Sequence, residues 1–145
     1  MDVIDPTHPN QPTEAYRNWT VLVHLSGLLN ILSGFPFAGV VAVILLWQMK
    51  NKESPFVDEH GREAANFQIT LAVAGAILVV AGAILTVITF GLALFLIIPA
   101  FIGMVILLLI GCIKGAIAAS RGEMYRYPFT YRFLKPGTLP GGPGL

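Results

Sequence analysis

Val21-Leu22-Val23-His24-Leu25-Ser26-Gly27-Leu28-Leu29-Asn30-Ile31-Leu32-Ser33-Gly34-Phe35-Pro36-Phe37-Ala38-Gly39-Val40-Val41-Ala42-Val43-Ile44-Leu45-Leu46-Trp47 is the stretch that decides the fold. It has no Asp, Glu, Lys or Arg, and Gly34-Phe35-Pro36-Phe37 interrupts it. As one helix rising about 1.5 Å per residue it would reach about 40 Å, longer than a hydrocarbon core of about 30 Å, and would hold a proline inside. As two helices, over about 16–33 and 37–52, each segment spans about 24 to 27 Å, near the lower limit for a crossing. Trp19, Trp47 and Lys50 then fall where interfacial anchors belong. A re-entrant hairpin fits the same residues.

Beyond the polar loop 51–63 lies a second charge-free run, 64–113, too long for one span and marked near its middle by Thr89-Phe90-Gly91. It reads as a third helix over about 64–88 and a fourth over about 92–120, bent near its start by Pro99. The expected fold is all-α: an integral membrane bundle of four transmembrane helices arranged as two hairpins, with an interfacial cytoplasmic elbow and an extended aromatic C-terminal segment. The expected divisions are a disordered N-tail (1–15), the membrane domain (16–120), an aromatic and basic juxtamembrane segment (121–135) and a flexible C-tail (136–145). Prolines spaced through polar residues deny the N-tail an apolar surface to bury, and Gly and Pro dominate the C-tail.

Composition agrees. Of 145 residues 55% are hydrophobic and 12% charged, and the mean hydropathy is +0.73, outside the usual range of a soluble domain. A net charge of +1 gives no basic field for nucleic acid and no acidic excess for a solvating chain. Cys112 is alone, so there is no disulfide framework. The first 18 residues are polar, contain Asp2, Asp5 and Glu14, and lack the basic start and apolar stretch of a cleavable leader.

In the four-span reading neither turn, 34–38 or 89–92, carries an ionisable side chain. Arg17, Lys50, Lys52, Arg62, Arg121, Arg126, Arg132 and Lys135 then share one face, with Lys114 snorkelling to it, and the positive-inside rule makes that face cytoplasmic. The expected location is the inner (plasma) membrane with both termini cytoplasmic; a three-span alternative, with the first run as one long helix, moves only Arg17 to the outside and survives the same charge argument.

Helices in lipid approach through small residues and polar contacts. Gln68, Ala72, Gly75, Ala76, Gly82, Ala83 and Thr86 share one face of the third helix. Gly111-x-x-x-Gly115-x-x-x-Ala119 makes a second small stripe, read as packing within the chain, with a homo-oligomer as the alternative. The first helix has a polar stripe of Thr20, His24, Gly27, Asn30 and Gly34 that should face protein. His24 and Asn30 can line a solute or proton path or simply hydrogen-bond between helices. The second reading is preferred because no carboxylate occurs in a span to complete a relay.

Two polar segments stand out. In the elbow, Ser54-Pro55 is an N-cap and first-turn pair; Phe56 and Val57 can lie on the membrane surface; and Asp58 and Arg62 are i,i+4 neighbours. Glu59, His60 and Glu63 could converge on a metal or on acid–base chemistry, but the ligand set is incomplete and Gly61 weakens the helix this needs. Asn66 and Gln68 should cap or cross-link helix ends. In the tail a two-residue period puts Tyr125, Tyr127, Phe129, Tyr131 and Phe133 on one side and Arg126, Thr130 and Arg132 on the other. With Arg121 these would fasten an extended strand to headgroups, anionic lipid being the simplest partner. Docking of a membrane-protein partner competes with that reading, and RNA binding ranks far below it.

His24-Leu25-Ser26-Gly27, Pro36-Phe37 before Trp47, Ser54-Pro55-Phe56-Val57-Asp58-Glu59-His60-Gly61-x-Glu63-Ala64 with Asn66-Phe67-Gln68, and Arg121-Gly122-Glu123 with Tyr125-Arg126-Tyr127-Pro128 occur in order. Over about residues 19–135 the chain resembles a widespread bacterial family of small membrane proteins classed as a domain of unknown function. That family is similar to magnetosome-membrane proteins of the MamF type and, more distantly, to the inner-envelope Tic subunit of the chloroplast import translocon. The resemblance implies a four-helix fold. The function expected is a non-enzymatic membrane scaffold or assembly factor, without cofactor or metal; the alternative is a channel or translocation component passing a solute, proton or polypeptide. No nucleophile–base pair, complete metal set or phosphate loop supports an enzyme.

Overall fold

The computed structural model describes residues 4–5 and 8–135; the expected flexible C-tail lies outside the described residues. The elements run β1 (Ile4–Asp5), β2 (His8–Pro12), α1 (Glu14–Ser26), α2 (Leu29–Leu32), α3 (Ala38–Lys50), α4 (Pro55–Ile88) and α5 (Leu94–Ser120). In the N-terminal stretch, expected to lack structure, β1 and β2 pair antiparallel; backbone hydrogen bonding supplies a ladder that composition does not signal. The rest is all-α.

Two of the described helices, α4 and α5, are long and apolar enough to cross a membrane. Their most apolar windows are only 6% and 17% buried, so they are not core helices of a soluble protein, whose apolar faces would be covered. The first apolar run behaves differently. The helix expected over 16–33 is divided at Gly27, whose missing side chain admits Gln68 and Cys112 against its backbone. α2 adds one turn, and α3 has 13 residues, short of the roughly 20 a crossing takes.

The elbow is no separate interfacial helix. Ser54 caps α4, its hydroxyl accepting from the Val57 amide, and Pro55 follows in the first turn, as the pair predicts. The helix then continues for 34 residues, straight through Gly61. Gly61 is tolerated because the Trp47 indole lies against it and a Cβ there would strike the ring; close packing offsets the helix-propensity cost. Val57 is fully buried and therefore does not rest on the membrane surface. Trp47, expected as an interfacial anchor, is buried too, its indole N–H donating to Asp58 Oδ1 at 3.0 Å.

Burial concentrates at one end, in residues 57–68 of α4 and 108–119 of α5. There α1 and α3 flank the long hairpin around a core of Val23, Val43, Trp47, Phe67, Leu108 and Cys112. Gly75 meets Met104 and Gly82 meets Ile97 where α4 and α5 continue together toward the far turn. Gly34, expected on the protein-facing stripe, has nothing within 4 Å and sits at φ +68°, serving the turn instead.

The packing difference between glycines is measurable. Gly61→Ala should lower stability by about 1–3 kcal/mol because the methyl overpacks against Trp47. Gly103→Ala, at a position open to its surroundings, should be neutral or slightly stabilising, because alanine is the better helix former. Thermal unfolding of the two variants in detergent checks the contrast.

Candidate functional site

The polar residues at the base of the bundle form one connected site beneath the C-terminal segment. His60, Glu63, Asn66 and Thr70 recur every three or four residues and so share a face of α4. Each holds residues 121–135. The Glu123 carbonyl accepts from His60 Nε2 at 3.0 Å, and Arg132 makes a two-pronged pair with Glu63, at 2.7 and 3.3 Å. Asn66 exchanges two hydrogen bonds with the Leu134 backbone, and the Thr70 hydroxyl accepts from the Tyr131 amide. The Glu63 hydrogen bond and charge raise the Arg132 pKa further.

This strap departs from a regular strand at Pro128-Phe129, where Phe129 adopts φ 54°. The alternation therefore fails. Phe129, Tyr131 and Phe133 are exposed, Tyr125 is half-buried, and Tyr127 points inward with 3% exposure. Tyr127 stacks on Phe67 with ring centroids 4.2 Å apart, in the space left by Gly111 and Gly115. Its assignment to a lipid-facing row is thus corrected: the glycine stripe exists to receive it. Burial first, then the neighbouring Cys112, Tyr125 and Glu63, raise its phenol pKa well above the ordinary value, so the group stays an O–H donor.

From Tyr127 a chain of hydrogen bonds runs through the interior. The Tyr127 oxygen lies 2.6 Å from His24 Nδ1, and His24 Nε2 lies 2.8 Å from His60 Nδ1. The final acceptor settles the protons. A carbonyl only accepts, so His60 Nε2 carries hydrogen and its Nδ1 accepts; His24 Nε2 must then donate, and its Nδ1 receives the Tyr127 proton. Both imidazoles are neutral Nε2–H tautomers with every ring nitrogen engaged. No lone pair is left for a metal, and among the described residues no three His, Cys, Asp or Glu side chains converge with metal spacing.

A second cluster joins α2, α3, α4 and α5. Asn30 donates to Gln68 Oε1 and accepts from the Gly39 amide, while Gln68 donates to the Cys112 sulfur at 3.7 Å. Asn30 and Gln68 thus cross-link helices. Asp58 is buried with Arg62 and Trp47, and Phe56 packs on His60 with ring centroids 4.4 Å apart. Glu59, Arg62 and Glu63 of α4 and Arg126, Arg132, Leu134 and Lys135 of the strap line a cavity of about 120 Å³; Arg121 is exposed at the strap's start.

The site therefore brings His24 and His60 together across 36 residues and adds Tyr127, Cys112 and Trp47, which sequence reasoning had assigned elsewhere or left as packing. His24, in a run without charged residues, requires a polar partner once buried, and that requirement was the available signal. Glu59 and Glu63 line the same cavity, Glu63 paired there with Arg132, whereas His60 turns away to His24.

Such an arrangement defines a class: a small α-helical membrane protein whose polar residues bind its own segments together. The chain belongs to the MamF/MmsF family of magnetosome magnetite crystal formation proteins, which it matches over residues 15–134. No curated protein and no solved structure matches it.

The tautomers are directly observable. Nitrogen-15 NMR of labelled histidine at neutral pH should show His24 and His60 both protonated at Nε2, and an Nδ1–H signal from either would break the chain. His60→Ala, which leaves the His24 N–H without an acceptor, should cost about 1–3 kcal/mol of stability, with residues 121–135 becoming the first site of proteolysis.

Proposed function

We propose that the protein is a non-enzymatic scaffold of a magnetosome-associated membrane, holding lipid and other membrane components around the mineral-forming compartment that the family name denotes. The helices enter the membrane as two hairpins from the cytoplasmic side, and both termini remain there. The observation that carries this reading is the separation of surfaces: the buried histidines, Tyr127, Asn66 and Gln68 bond within the protein, while the outward faces of α4 and α5 beyond the base are apolar. All nine Lys and Arg residues lie at or near the base, which the positive-inside rule assigns to the cytoplasm.

The strap is the contact surface. Phe129, Tyr131 and Phe133 are exposed beside Arg121, Arg126 and Arg132, an aromatic and basic combination suited to anionic headgroups or to a neighbouring membrane protein. A path for solutes is the weaker reading. His24 and Asn30 are consumed by hydrogen bonds, and the larger cavity near Asn30, about 440 Å³, is otherwise lined by apolar residues and glycine.

Reporters placed ahead of Glu14 and after Lys135 should both lie on the cytoplasmic side. In a magnetite-forming cell, removal of the chain should alter crystal size or shape in electron micrographs, and the Arg121→Ala/Arg126→Ala variant should do so while remaining in the membrane. Termini on opposite sides, or unchanged crystals after removal, would overturn the proposal.

A further inference from the structure

We propose that the first hairpin is re-entrant, stopping near the bilayer midplane, so that the protein is a wedge fitted to a membrane whose cytoplasmic face is convex. This rests on the reading that the charged base is cytoplasmic.

Depth can be read from the neighbours of the turn. Pro36 and Phe37 line the 440 Å³ cavity together with Gly75, Ala76, Phe101 and Met104. From Gly75 the α4 helix continues to Ile88, a further rise of about 20 Å at 1.5 Å per residue. Toward the base, Gly75 stands about 16 Å above Ala64, where the charged elbow ends. In a hydrocarbon core of about 30 Å the first turn therefore lies close to the middle, and only the second turn reaches the far interface.

The first turn is built for that depth. Irregular backbone inside a bilayer must have its polar groups satisfied by the protein. The Ser33, Gly34 and Ala38 amides bond to carbonyls within the turn, the Phe35 amide to Ser33 Oγ, and the Gly39 amide to Asn30 Oδ1. Residues 31–37 are all exposed, Leu32 most among the large apolar ones at 78%; none is ionisable, and the one polar side chain, Ser33, donates its hydroxyl to the Leu29 carbonyl. Asn30 thus ties the turn to Gln68 on α4 and holds it at this level.

Shape follows from depth. Among the described residues the cytoplasmic half of the protein contains α1, α2, α3 and parts of α4 and α5, whereas the far half contains only the rest of α4 and α5. The wide end displaces more lipid from the cytoplasmic leaflet than the narrow end displaces from the other, and chains of the far leaflet fill the apolar space beneath the first turn. Strain is least where the cytoplasmic leaflet is the expanded one, as on a membrane budding toward the cytoplasm.

Two measurements on the full chain test this. In vesicles where reporters place both termini outside, Phe35→Cys should resist a membrane-impermeant maleimide from either side and be quenched most strongly by lipids labelled near the chain end. Phe90→Cys should react from the lumenal side, and the wild type, with buried Cys112, provides the blank. Labelling of Phe35→Cys from the lumen would overturn the re-entrant hairpin without disturbing the shared side of the termini. Dye-labelled protein counted on single vesicles should be severalfold denser per unit area on small vesicles than on large ones, for copies with termini outside. Equal density at all diameters, or preference for large vesicles, would overturn the wedge.

Discussion

Polar groups removed from water must find partners in the protein, and at the base of this bundle that constraint organises everything else. His24, His60 and Tyr127 are satisfied by one another and by a single backbone carbonyl. Because each donor has one acceptor, the order of the chain is determined from its end, and a buried group left without its partner costs far more than the net worth of one hydrogen bond. The chain joins α1, α4 and the C-terminal strap, elements separated by up to 103 residues in sequence.

The glycines belong to the same logic. Lipid offers no hydrophobic force between helices, so close approach depends on small residues and on shape. Gly61 makes room for Trp47, and Gly111 and Gly115 make room for Phe67, His24 and Tyr127. Aromatic rings placed against bare backbone hold the base together, while along the distal part of α4 and α5 Gly75 meets Met104 and Gly82 meets Ile97. This is why the molecule is dense and polar at one end and apolar at the other.

Much of this was legible in the residues. The two charge-free runs, their interruption at Gly34-Phe35-Pro36-Phe37 and Thr89-Phe90-Gly91, the Ser54-Pro55 start of α4, and Pro99 within α5 all follow from local rules of hydropathy, capping and turn formation. The Asp58–Arg62 pair was also within reach, because spacing along one helix announces it; Gln68 does cross-link helices, through Asn30, whereas Asn66 holds the Leu134 backbone instead of a helix end.

What the chain settled by itself, then, was its solvent and its segments: long apolar runs require lipid, and breakers divide them. What only tertiary structure decided was which side chains meet. The pairing of His24 with His60, the inward turn of Tyr127 and the burial of Trp47 depend on helices lying side by side at one particular height. Periodicity reports the face a residue occupies and is silent on its partner across the gap. The backbone kink at Phe129, which cancels a two-residue alternation that the sequence displays clearly, arises because one ring of the row gains more from filling a glycine-lined space than from staying with its neighbours.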